Sequence, residues 1–474
     1  MKHKELIKKA FAGAFAVLIF AISLLSVFAE GETIPEPELE TAKSALVYCV
    51  QAEKVVWSKG ADDSRYPAGA AKMMTAILAI EHYGDEMEDT FVTATAAALR
   101  NSAGSSLGLR TGEMLPAKDL IAAVILSGSN DAAYVLAADI GGTVAKFVNM
   151  MNEKAEAMGM KNTHYTNPSG LHDGDMVTTA NDLVLLAKYC YNNSTYMELC
   201  GMTRYAIDKT NKTDGDRIIA NRNYFINVAV TNEYYYSIVN GMSISNTEQA
   251  GYSLIASGKY DGTDYIVIAL GCEDVTEVVK EEEIIIDELT GEVTVIPEET
   301  KTRNTSYSDG KALFRHAIRN YSFKKIIDVS TIVCEIPVRL GMNTDHVTLL
   351  PEHSIDFFLP NNEDPKSVIS YAWELDKGDM TAPVEMGQEA GVLTVYYKGE
   401  VIEKLPLVAK NNVERSEWLY LIERIGSFAK TPLFRITAIV IVILIAVYFI
   451  SAGIRKKKKN DEARREFNRK YRDY

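Results

Sequence analysis

Tyr66-Pro67-Ala68-Gly69-Ala70-Ala71-Lys72-Met73-Met74-Thr75 runs without a break into Ala76-Ile77-Leu78-Ala79-Ile80-Glu81-His82. Small residues lead to a lysine, and apolar residues then recur at helical spacing, so the stretch reads as the start of a helix. Downstream, Lys118 to Ile140 and Val144 to Met158 show the same three-four apolar spacing and read as helices. The β-prone runs Ala45-Leu46-Val47-Tyr48-Cys49-Val50 and Tyr265-Ile266-Val267-Ile268-Ala269-Leu270 bracket this helical middle and read as short strands.

Further segments carry a specific pattern: Gly104-Ser105-Ser106-Leu107-Gly108-Leu109-Arg110-Thr111-Gly112-Glu113, Met151 to His164, Asn167-Pro168-Ser169-Gly170-Leu171 and Thr178-Thr179-Ala180-Asn181-Asp182-Leu183. With the first stretch, they resemble the D-alanyl-D-alanine carboxypeptidases, the low-molecular-mass penicillin-binding proteins of serine type, over roughly residues 42–325. The resemblance implies a penicillin-recognising, β-lactamase-like α/β (α+β) fold: a sheet flanked by helices, a helical subdomain, and the cleft between them. It also implies that residues 326–410, where short β-prone runs alternate with turns, form the small all-β domain that follows the catalytic domain in this family.

The family's chemistry rests on three motifs, and each is altered here. In Ser-x-x-Lys the serine opens a helix, at the positive end of its dipole, one turn from a lysine that takes its proton. Here Lys72 remains and the nucleophile's position is Gly69, which has no side chain to acylate. Aligning Ser-x-Asn on Asn130 places Gly128 where the serine belongs, flanked by Ser127 and Ser129, either of which can lend a hydroxyl. The Lys-Thr-Gly strand, in the context Val239-Asn240-Gly241-Met242, reads Ser243-Ile244-Ser245, with the backbone N–H of Asn246 left to complete an oxyanion hole. Without that lysine, only the neutral donors Ser243 and Ser245 are expected to meet the carboxylate of a substrate. Loss of a serine nucleophile costs such an enzyme on the order of 10⁶-fold. The expectation is therefore a pseudoenzyme that binds a peptidoglycan stem peptide or an envelope protein. The alternatives are an active carboxypeptidase with a relocated nucleophile, Ser127 or Ser129, and a structural spacer.

The chain ends set the topology. Residues 1–29 join a lysine-rich start to an apolar run and Val27-Phe28-Ala29, which reads as a secretory signal peptide. Residues 434–454 are charge-free after Arg435 and long enough for a transmembrane helix, and the basic segment 455–474 that follows belongs in the cytoplasm. Residues 411–433 form an amphipathic linker, with Trp418, Leu421, Ile422, Ile425 and Phe428 at helical spacing. The tail carries +6 and the first 29 residues +3, so the whole-chain charge of −14 leaves −23 on the portion between. Such a surface repels nucleic acid and anionic polymers.

Five scattered cysteines make no disulfide framework: Cys190 and Cys200 are close enough in sequence to pair, and buried thiols are the simpler reading. Seven histidines without ligand spacing predict no metal, and nothing predicts a cofactor. Residues 273–304 interrupt the resemblance with two β-prone runs around Gly291, rich in Glu and Asp, which reads as an acidic hairpin, either a surface insertion without a role of its own or an arm that docks a basic envelope protein.

Overall fold

The computed structural model describes residues 34–280, 283–286, 293–297 and 299–470. The predicted signal segment and the Gly291 turn of the insertion lie outside the described residues. Contacts divide the chain into two units, residues 1–322 with 358–362, and residues 323–357 with 363–474.

The first unit is built on a five-stranded antiparallel sheet in the order Lys54–Lys59, Ser44–Cys49, Thr263–Cys272, Gly251–Tyr260, Val239–Thr247. Every residue of Ser44–Cys49 is buried, because the strand is central and both faces of the sheet are covered. Side chains alternate between two cores with period two. Leu46 and Tyr48, with Ile266, Ile268 and Leu270, face the helical body; Ala45, Val47 and Cys49, with Val267 and Ala269, face the helix Thr305–Asn320 through Leu313, Phe314 and Ala317. The register Leu46↔Ile268 and Val47↔Val267 keeps the two sets apart, and a one-residue slip would exchange them.

The opening stretch is the helix Ala71–Tyr83, buried along nearly its whole length, which is why its sequence carries almost no polar stripe. The run expected as one helix over residues 118–140 is interrupted. Ala117–Ala122 passes into a widened π turn at Ala123–Ser127, Gly128 takes a left-handed φ of +65°, and a second helix spans Asn130–Gly141. Apolar periodicity continues across the break and so conceals it; glycine is the residue that tolerates the left-handed backbone there. All five thiols are unpaired, four of them buried.

In the insertion, Asp274–Lys280 pairs with Glu299–Asn304 and Glu283–Ile286 with Val293–Ile296. The second unit contains a six-stranded sheet with its own core, including Ile336, Val338, Leu349, Leu393, Leu405 and Leu407. It continues into the helix Glu417–Ala429, whose Trp418 is 75% exposed, and then a single helix Pro432–Lys470, apolar and long enough over its first part to cross a membrane.

Candidate active site

Ala68–Ala70 forms one 3₁₀ turn ahead of the Ala71–Tyr83 helix, so Gly69 and Lys72 sit on its first turns. Two side chains of that helix clamp the Asn167–Leu171 loop: the Lys72 ammonium donates to the Ser169 carbonyl at 2.6 Å and the Thr75 hydroxyl to the Pro168 carbonyl at 2.7 Å. The approach is close enough to require glycine at 170, where φ is +70° and a Cβ would fall 1.7 Å from the Ala68 carbonyl oxygen. Ala68 itself holds φ at +46°, a left-handed conformation costing on the order of 1–2 kcal/mol for an alanine, immediately before position 69.

A Cβ at Gly69 would lie 2.6 Å from Ser245 Cβ and 3.0 Å from Ser245 Oγ, while Lys72 Nζ stands 3.5 Å away. Ser245 thus fills the space that a side chain at 69 would need, directly beside the lysine. Its position follows from the register of the Val239–Thr247 strand, in which Ser243 pairs with Ile255, Ser245 with Ser253 and Asn246 with Tyr252. The Ser245 hydroxyl is buried and has no hydrogen-bond partner among the described residues.

Gly69, Lys72, Gly128, Asn130, Ser243, Ser245 and Asn246 all line one cleft of about 840 Å³. Ser127 and Ser129 do not. Ser127 Oγ donates to the Ala123 carbonyl at 2.8 Å and lies 2.7 Å from Ser129 Oγ, and Ser129 is 1% exposed, so both hydroxyls are engaged within the turn. Asn130 donates to the Ala103 carbonyl at 2.5 Å, leaving its buried Oδ1 without a partner.

Sequence reasoning missed Arg222. The Arg222 N–H donates to the Leu126 carbonyl at 3.0 Å, and the flanking amides are locked: Asn221 Nδ2 donates to the Cys200 and Met202 carbonyls, and Asn223 Oδ1 accepts the Phe225 N–H. This rigid platform projects an exposed guanidinium into the cleft, where Nη1 lies 3.9 Å from the site of a Cβ on Gly128. No described carboxylate forms an ion pair with it. The signal available beforehand was the motif itself, one arginine between two asparagines in a strongly acidic region.

Burial, reinforced by the Arg222 charge, pushes Lys72 down to about 7. Its ordinary value is near 10.4, so the unfolded chain binds more protons than the folded one between pH 7 and 10. Stability lost to enclosing the ammonium is therefore fully lost below pH 7 and recovered as pH rises towards 10. Lys72→Met is expected to raise the melting temperature more at pH 6 than at pH 9.5; an equal effect at both pH values contradicts the enclosed ammonium.

A nucleophile-position helix turn, a facing edge strand and the asparagine that opens the Asn130–Gly141 helix, all around one cleft, define the penicillin-recognising class. Residues 31–274 match the family described as D-alanyl-D-alanine carboxypeptidase, and residues 321–415 match the penicillin-binding protein 5 C-terminal domain. The chain belongs to the D-alanyl-D-alanine carboxypeptidase family, whose members act on the stem peptides of peptidoglycan. It is 26% identical to the D-alanyl-D-alanine carboxypeptidase DacF of Bacillus subtilis, covering 88% of this chain and 98% of that one. It is 24% identical to DacC of Escherichia coli, covering 87% and 93%. The structure is similar to that of penicillin binding protein 5 from Haemophilus influenzae, with a TM-score of 0.54 at 22% identity over 81% of this chain and all of that one, which bears on the fold alone.

Proposed function

We propose that this chain is a non-acylating member of the family, a pseudoenzyme that holds the carboxylate-terminated end of a stem peptide in its cleft without cleaving it. The observation that carries this reading is Ser245 in the space of the missing residue-69 side chain, with its hydroxyl enclosed beside Lys72. Lys72 near neutrality retains the basicity of a proton acceptor, but among the described residues no hydroxyl lining the cleft is hydrogen-bonded to it. Arg222 supplies the cation that Ser243 no longer provides. The apolar helix beginning at Pro432 anchors the protein as a single span, with the folded units outside and the basic tail inside. An envelope protein that reads the bound peptide is the partner this role calls for.

The purified chain is expected to give no covalent adduct with a fluorescent penicillin and no D-alanine from a peptide ending in D-Ala-D-Ala. Labelling that disappears in Ser127→Ala, Ser129→Ala or Ser245→Ala would instead establish an active enzyme with a relocated nucleophile.

A further inference from the structure

The rims of the two large sheets are protected in different ways. In the first unit, the outer strand Lys54–Lys59 carries a lysine at each end, and the other rim strand, Val239–Thr247, lines the cleft. In the second unit, one rim is the two-residue strand Met380–Thr381, followed at once by Ala382 and Pro383. Lysine, proline and brevity are ordinary means of keeping a sheet edge from pairing with another chain. The opposite rim, Ile369–Leu375, has none of them. It runs for seven residues, Ile369-Ser370-Tyr371-Ala372-Trp373-Glu374-Leu375, with a single charge.

One edge of this strand is laddered along its whole length onto Glu389–Tyr397, from Ile369↔Tyr397 to Leu375↔Gly391, and among the described residues no strand pairs with the other edge. The register also fixes the faces. Tyr371 stands opposite Val395 and Trp373 opposite Leu393, both wholly buried in the core of this unit, so the two aromatic rings lie on the core-facing side of the sheet. Ile369 and Leu375, at the two ends of the same row, pack partly against that core. Yet Tyr371 is 47% and Trp373 44% exposed, with ring centroids 6.4 Å apart. The core row therefore runs out beyond its own cover at an edge whose backbone groups have no strand to meet.

The strand is complementary to itself when turned end for end about Ala372. With two copies antiparallel and Ala372 opposite Ala372, Tyr371 of each faces Trp373 of the other, and Ile369 faces Leu375. Glu374 falls opposite Ser370, a hydroxyl donor, so the one charge on the strand never meets its own copy. Aromatic pairs directly across an antiparallel ladder stabilise it, whereas like charges there oppose it.

We infer that the free edge of Ile369–Leu375 pairs antiparallel with the same strand of a second copy of this chain, about a two-fold axis through Ala372. Such an interface is isologous and closes on itself. It uses no residue of the cleft and stands whether or not the cleft binds peptide. A single pair of strands buries less than a standard soluble interface, so the pairing belongs to chains concentrated in a membrane.

Disulfide trapping of the full chain in native membranes, with wild type as the background for its own five thiols, tests the pairing. Residues directly opposite in an antiparallel ladder have Cα atoms about 4.5–5.5 Å apart, within the disulfide range of roughly 4.4–6.8 Å. Ala372→Cys is therefore expected to give a covalent dimer on mild oxidation. Ser370→Cys and Glu374→Cys are each expected to fail alone, since two copies of residue 370 lie roughly 13 Å apart along the ladder, and to cross-link when produced together. Adding Trp373→Lys, or Tyr371→Lys, to Ala372→Cys is expected to abolish the dimer while leaving the melting temperature nearly unchanged. No dimer from Ala372→Cys overturns the inference, and so does equal trapping by Ser370→Cys alone, which would mean unregistered collision. A dimer that survives both lysine changes assigns the contact to another surface. Trapping of Ala372→Cys on a different envelope protein, or binding of a chitin oligosaccharide that depends on Trp373 without any dimer, would give the edge to that partner and overturn the pairing of copies.

Discussion

Gly69→Ser alone is expected to lower the melting temperature and leave the protein inert to penicillin, even though it restores the nucleophile's side chain. The new Cβ would lie 2.6 Å from Ser245 Cβ, on backbone held by a paired strand on one side and by the helix turn on the other, so neither side chain can move away by changing rotamer. Overpacking of this kind costs about 1–3 kcal/mol, or roughly 2–4 °C per kcal/mol for a unit of this size. Ser245→Gly removes the obstructing side chain, so the double variant should be more stable than the sum of the single changes by about 0.5–3 kcal/mol. Adding Ser243→Lys and Ile244→Thr to that pair restores the complete family strand, and a penicillin adduct should then become detectable. The gain sought is large, since a missing serine nucleophile alone accounts for on the order of 10⁶-fold. An adduct formed by Gly69→Ser with Ser245 still present would show that the slot is not blocked, and additive stabilities in the double variant would show that the two residues do not compete for it. A folded quadruple variant that fails to acylate would point to Gly128, where φ of +65° disfavours the serine the family places there.

Removing the Arg222 side chain is expected to abolish most of the affinity for a peptide ending in D-Ala-D-Ala. Charge-assisted hydrogen bonds are each worth about 1.5–3 kcal/mol, so Arg222→Ala should raise Kd roughly 10- to 100-fold, measured by calorimetry at fixed ionic strength. Arg222→Lys should recover only part of the loss, because an ammonium cannot present two parallel donors to a carboxylate. The backbone of residue 222 is secured through Leu126 and Tyr307, and its side chain makes no hydrogen bond within the protein among the described residues, so the melting temperature should barely change. An unchanged Kd in Arg222→Ala would remove the guanidinium from the site and with it the replacement for the lost strand lysine.

The strands of the central sheet were legible from their β-prone runs, and so was the all-β domain beyond it. The break at Gly128 was not, because the apolar spacing on either side of a π turn stays in phase closely enough to pass for one helix. The fold gathers Lys72, Gly128, Asn130, Ser243, Ser245 and Asn246 with Gly69 at one cleft. Ser127 and Ser129 belonged to the same sequence window, yet their hydroxyls are consumed by the turn that holds them.

By itself, the sequence determined that position 69 has no nucleophile, that a lysine follows one turn later, and that an apolar segment ending in a basic tail closes the chain. These are properties of residue type and local period, and no folding is needed to read them. Only the tertiary structure decided that Ser245 stands where a residue-69 side chain would go and that Arg222 brings a charge back to a cleft stripped of its strand lysine. Each of these depends on strand register and loop path between segments distant in sequence, and such distances are set by the packing of the whole sheet against its helices rather than by any local pattern.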